Sequence, residues 1–166
     1  MGKIVGVDPG LADTGIGIIQ GSGLAVGNYS FGSIHTSKSS SLPSRLDLIY
    51  SRLYKVLCKE KPDLMVVEDV FSLAKNPKSG ISLGKVTGVV LLAGYHASVP
   101  VVEVPVREAK KILSGNGNAS KEQLEKSVRH ALNHNTPIRP FHASDALALA
   151  LIGLYRYNTF QLQELR

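Results

Sequence analysis

The sequence holds a single cysteine, Cys58. One thiol excludes an internal disulfide framework and suits a reducing compartment. Charge is sparse as well: 19% of the residues are Asp, Glu, Lys or Arg. No apolar stretch approaches the roughly 20 residues that a bilayer span needs. The apolar run that leads from Met1-Gly2-Lys3 to Asp8 is too short for a signal-peptide core and has no small-residue cleavage site. These absences give the expectation of a cytoplasmic protein with no membrane association.

What is present is one domain's worth of chain. With 166 residues, 43% of them hydrophobic, folding removes roughly 70% of the unfolded surface from water, enough for a core without staples. The expectation is one domain over 1–157 and a frayed tail over 158–166. Net charge is +6, and it is unevenly placed. Residues 1–74 carry seven basic and seven acidic side chains, whereas residues 75–130 carry nine basic and four acidic. Localised positive charge fits a polyanionic partner, because neutralised phosphates release counterions. A merely soluble basic surface would look the same.

Three short strand patterns come first, over Lys3–Asp8, Gly15–Gln20 and Gly23–Thr36. Glycines punctuate them, which suggests an antiparallel meander. Pro43 suits the first turn of a helix whose Leu46, Ile49, Tyr50, Leu53, Val56 and Leu57 recur at helical spacing and which stops near Lys61-Pro62. Leu64–Glu68 reads as a buried strand. A loop is expected over 72–80, then an apolar helix over 81–97 and a strand over 99–104. Pro105 opens another helix, Ser120-Lys121-Glu122-Gln123 reads as a capping box, and a last apolar helix covers 142–157. The pattern predicts an α/β fold with a mixed five-stranded sheet and helices packed on it.

Three carboxylates stand out by their setting. Asp8 ends an apolar strand, Glu68 ends another, and Asp145 begins the run Ala-Leu-Ala-Leu-Ala. Such placement is costly unless something compensates the charge. If the two strands pair centrally, Asp8 and Glu68 become neighbours and a packed helix brings Asp145. Acids that close repel unless a divalent cation lies between them, and an all-oxygen set favours Mg²⁺ or Mn²⁺ over zinc. Two such ions activate water and steady the leaving oxygen of a phosphodiester. Each acid taken alone reads equally as a cap or a salt-bridged strand end. His142 lies three residues before Asp145, on the same face of a helical turn; it is a ligand, a proton-transfer group, or simply a polar residue near a helix start.

At these residues the chain closely resembles the RuvC family of Holliday-junction resolvases. The matching motifs are Val5-Gly6-Val7-Asp8-Pro9-Gly10, Leu42-Pro43-Ser44-Arg45-Leu46 and Val67-Glu68-Asp69-Val70-Phe71 with Ala74-Lys75-Asn76. Ser82-Leu83-Gly84-Lys85-Val86-Thr87-Gly88 and His142-Ala143-Ser144-Asp145-Ala146-Leu147-Ala148 follow in order, so that the likeness runs from about residue 3 to 155.

The resemblance implies a ribonuclease H-like fold with helices on both sheet faces. It also implies a metal-dependent endodeoxyribonuclease that nicks four-way DNA junctions symmetrically in recombination and repair, leaving 5′-phosphates. The family's acidic catalytic and metal-binding positions fall on Asp8, Glu68, His142 and Asp145, with Mg²⁺ or Mn²⁺ as cofactor, two ions per site. Where some relatives carry Asp, this chain has His142, a substitution that favours Mn²⁺. Phe71 matches an aromatic placed near the junction centre, where it stacks on a base or else plugs the core. Lys110 and Lys121 fall near DNA-backbone positions, which Lys75, Lys78 and Lys85 could join; each alone also reads as a solvated surface lysine. The helix with Gly84 and Gly88 resembles a homodimerisation element, unless it is simply buried, and the implied partners are four-way junction DNA and a branch-migration complex of the RuvA–RuvB type.

Other features carry no site. His130 and His134 stand four apart on an expected helix but lack the Glu of a metalloprotease pair, and both are expected to be exposed. Cys58 is expected to be partly buried and inert. Gly115-Asn116-Gly117 lacks the Lys of a phosphate-binding loop. Two rival readings remain open: another ribonuclease H-like nuclease acting on a hybrid or flap, and a non-catalytic junction-binding subunit.

Overall fold

The computed structural model describes residues 1–69 and 77–157. Strands β1 (Gly2–Asp8), β2 (Asp13–Ser22) and β3 (Ala25–His35) form the antiparallel meander, with Gly23 at φ 56° in its second turn. Strands β4 (Leu64–Glu68) and β5 (Val101–Val104) add to it in parallel, giving the order β3-β2-β1-β4-β5. The helices are α1 (Leu42–Glu60), α2 (Pro77–His96), α3 (Val106–Ser114), α4 (Lys121–Ala131) and α5 (Phe141–Tyr155).

Side chains alternate across the central strands. Ile4, Leu64 and Val66 face one way, into a core with Leu147, Leu151 and Ile152 of α5 and Leu124 and Val128 of α4. Val5, Val7, Met65 and Val67 face the other way, onto Ile49, Leu53 and Leu57 of α1 and Val86 and Val90 of α2. The mixed sheet with helices on both faces is therefore borne out. Burying each large side chain of this kind contributes about 1.5–3 kcal/mol, and α5 is buried along nearly its whole length.

Helix ends follow local chemistry. Ser41 caps α1 through its hydroxyl, and Lys61 closes it in the left-handed region at φ 47° just before Pro62. The capping box forms: Gln123 N–H donates to Ser120 Oγ at 3.2 Å and Ser120 N–H donates to Gln123 Oε1 at 2.8 Å. Three expectations need correction. Helix α2 begins at Pro77, inside the segment expected to be loop, because proline is well suited to a first helical turn. Cys58 is exposed, on the solvent side of α1. His134 is off the helix, since α4 ends at Ala131. It is half-buried, its Nδ1 2.7 Å from Tyr29 Oη and its Nε2 3.0 Å from Thr136 Oγ1; His130 is exposed, as expected.

Candidate active site

Strand register brings the first two acids together. Val7 pairs with Val67 across the parallel β1–β4 ladder, so that Asp8 and Glu68 follow side by side at the same sheet edge. Asp8 is 4% exposed and Glu68 is half-buried. The first two turns of α5 supply the others, with Asp145 7% exposed. His142 Nδ1 lies 2.5 Å from Asp8 Oδ2.

Helix α5 reaches this edge because the strands beneath it are bare. A Cβ on Gly6 would stand 1.9 Å from the Ala146 carbonyl oxygen, and one on Gly15 would stand 1.9 Å from that of His142. Only glycine tolerates so close a backbone approach. The sequence carried that signal as Gly6, Gly15 and Gly17 alternating with apolar residues, and the strand reading missed its purpose.

The electrostatics are those of crowded acids. Burial, a hydrogen bond to Asp8 and the charges of Asp8 and Asp145 push the Glu68 carboxyl up to about 9. Burial and the Asp8 charge push Asp145 up to about 6. The hydrogen bond to Asp8 raises the His142 imidazole above its usual range. Positive charge stands close by, with Lys121 Nζ 4.0 Å from Asp145 Oδ2 and Lys110 near enough to lower the Asp145 carboxyl.

Within the cluster, Asp145 Oδ1 is buried and accepts no hydrogen bond from the described residues. An orphaned buried oxygen is expensive unless a cation meets it. Among the described residues no three His, Cys, Asp or Glu side chains stand in a geometry that would hold a metal ion, and His142 is turned onto Asp8. Asp8, Glu68 and Asp145 nonetheless lie close enough that their charges oppose the ionisation of Glu68 and Asp145.

Of the expected DNA-binding residues, Lys110 and Lys121 border the acids. Lys85 is exposed on α2 next to Gly84. Lys78 belongs to the first turn of α2, and Phe71 and Lys75 lie outside the described residues.

A model of the family described as crossover junction endodeoxyribonuclease RuvC matches residues 4–153. The chain belongs to the RuvC family. It is 38% identical over 154 residues to the crossover junction endodeoxyribonuclease RuvC of Carboxydothermus hydrogenoformans, covering 93% of this chain and 96% of that protein. Against the RuvC of Thermotoga maritima the identity is 40% over 148 residues, covering 89% and 88%. Among solved structures, Thermus thermophilus RuvC in complex with Holliday junction substrate superposes with a TM-score of 0.88 at 29% identity, covering 96% of this chain and 97% of that one. The same organism's RuvC structure gives a TM-score of 0.82 over 95% and 96%. The likeness of these RuvC structures establishes the ribonuclease H-like fold. The yeast mitochondrial Holliday junction resolvase Ydc2, at 15% identity and a TM-score of 0.60, shares the fold alone.

Proposed function

We propose that this chain is a Holliday-junction resolvase whose nuclease centre is the Asp8, Glu68, His142 and Asp145 cluster, within one nuclease domain over 1–157. Membership in the RuvC family makes it an endodeoxyribonuclease that acts in recombination and repair. The observation that carries the site is the convergence of three buried or half-buried carboxyls at one sheet edge, one with an unpartnered oxygen. Such a set fits hard divalent cations, two per site, held by Asp8, Glu68 and Asp145. Bound there, Mg²⁺ or Mn²⁺ would supply a water made acidic enough to attack a phosphodiester in line.

The side chains divide the remaining work. His142, once released from Asp8, completes the ligand set or accepts the proton of the attacking water. Lys121 and Lys110 offset charge gathering on the phosphate oxygens. Phe71 and Lys75, Lys78 and Lys85 extend the DNA surface. The dimer rests on α2, whose outward face exposes Ile81, Leu92 and Tyr95 around Gly84 and Gly88. Neither glycine position meets any atom within 4 Å of an added Cβ. A two-fold pair of such helices sets two sites against two strands of like sequence. A branch-migration complex is the partner that delivers the junction, in the cytoplasm.

The test is cleavage of a labelled four-way junction with Mn²⁺ or with chelator, beside an RNA–DNA hybrid. Asp8→Asn is expected to bind the junction with unchanged affinity and to cut at least about 100-fold more slowly. Undiminished cutting by that variant would overturn the site. Preference for the hybrid would make the chain a different ribonuclease H-like nuclease, and binding without any metal-dependent nick would make it a junction-binding subunit.

A further inference from the structure

The motif Leu42-Pro43-Ser44-Arg45-Leu46 has no part in the site described so far, although it lies at the same end of the sheet. β1 ends there at Asp8, and β3, antiparallel to β2, ends there at His35, leading through Thr36 to the start of α1. The loop Pro9–Ala12 joins Asp8 to β2. Its carbonyls need partners, since buried backbone polar groups are costly when unpaired. They find them in Thr14 nearby and in Thr36 and Arg45, which are distant in sequence.

Thr14, fully buried, donates from Oγ1 to the Gly10 carbonyl at 2.8 Å. Thr36, 2% exposed, donates from Oγ1 to the Leu11 carbonyl at 2.5 Å, and its N–H donates to the Ala12 carbonyl at 2.9 Å. Arg45 closes the set from α1. Its Nε donates to Thr36 Oγ1 at 2.8 Å and one terminal nitrogen donates to the Leu11 carbonyl at 3.2 Å. The Thr36 hydroxyl thus gives one bond and receives another.

This loop touches both members of the Asp8–His142 contact. It follows Asp8 directly, and an added Cβ at Gly10 would lie 3.7 Å from His142 Cε1. A shift of the loop by an ångström moves the carboxylate and the wall against which the imidazole rests. Catalytic geometry is sensitive to displacements of that size.

We infer that Thr36 and Arg45 are positioning residues for the nuclease centre, acting through the Pro9–Ala12 loop on Asp8 and His142. The inference rests on the assignment of Asp8 to the metal centre. Hydrogen bonds to groups that hold ligands in place typically govern metal affinity or activity by about 10- to 100-fold.

Thr36→Val keeps shape and burial but deletes the bridging hydroxyl, and Thr36→Ser keeps the hydroxyl but deletes a methyl. Three quantities distinguish them: Mn²⁺ affinity of the protein without DNA by calorimetry, junction affinity in chelator, and single-turnover cleavage at saturating protein. Thr36→Val is expected to weaken Mn²⁺ binding and slow cleavage each about 10-fold or more, with junction affinity within about twofold. Thr36→Ser is expected to return both to within about threefold of the wild type. If packing alone mattered, the serine variant would be the worse of the two, and that order overturns the inference.

Arg45→Ala carries the test if Thr36→Val does not fold, and it is expected to show the same slower cutting with intact junction binding. Loss of junction affinity with normal cleavage at saturation would instead make Arg45 a DNA contact, which also overturns the inference. Wild-type protein that fails to nick a junction at all would count against the proposed function, while the Mn²⁺ titrations would still decide the role of Thr36.

Discussion

Glu68 and Asp145 are carboxyls whose ionisation the fold opposes, pushed up to about 9 and about 6, against ordinary values near 4. A carboxyl raised in this way contributes stability that is full below its unfolded value and is lost as pH rises through its folded one. The protein without metal is therefore expected to melt lower at pH 9 than at pH 6, as measured by calorimetry in chelator. Glu68→Gln should flatten that trend and raise the melting temperature at pH 9 by about 3 °C or more. A melting temperature that climbs with pH in the wild type and is unchanged by Glu68→Gln would show that the carboxyl is not held neutral. Metal binding at the proposed centre requires the ionised forms, so Mn²⁺ affinity is expected to rise from pH 6 to pH 9. At the same scale, His142→Asp should retain cleavage and shift the preference from Mn²⁺ towards Mg²⁺, read as the ratio of rates in the two metals.

At the scale of elements, the site is a consequence of how closely α5 lies on the sheet. Gly6→Ala would drive a methyl into the Ala146 carbonyl. Overpacking against backbone that cannot yield costs about 3 kcal/mol, and for a chain of this length that lowers the melting temperature by about 6–12 °C. Gly32→Ala, on the open surface of β3 with nothing within 4 Å, is expected to change stability by less than about 0.5 kcal/mol. Equal effects of the two substitutions would mean that the approach of α5 is not what Gly6 serves.

The same helix shows why the sequence was legible where it was. Strand β4 and the approximate limits of α1, α4 and α5 could be read because hydrophobic period and caps agree locally, as Ser120 and Gln123 do. Asp8, Glu68 and Asp145 were legible because charge at the border of apolar elements is rare. The role of Gly6, Gly15 and Gly17 was not, because what they avoid is helix backbone more than a hundred residues away. Nor was the partner of Arg45, since the bond that matters goes to a loop 34 positions earlier. His134 reads on paper as helical, yet the chain leaves α4 at Ala131 and turns the ring to Tyr29 of β3.

At the scale of the whole molecule, one protomer holds one cluster of acids, whereas resolving a four-way junction takes two cuts. The exposed stripe of α2, with Leu92 47% and Tyr95 77% accessible to solvent, is the surface on which two protomers would meet. Leu92→Glu places a charge at the centre of that stripe, and an unpaired charge in an apolar contact is costly. The proposed dimer is expected to dissociate at least about 100-fold more readily, as read by sedimentation. The acids and the opposite face of α2, with Val86 and Val90 in the core, are untouched, so each protomer keeps its own proposed nuclease centre. On a supercoiled plasmid that extrudes a cruciform, paired cuts within one complex give a linear product, and single cuts relieve the supercoiling and give a nicked circle. The variant should therefore shift the product from linear to nicked. A Leu92→Glu protein that remains dimeric, or a monomer that still yields linear product, would remove α2 as the element that couples the two cuts.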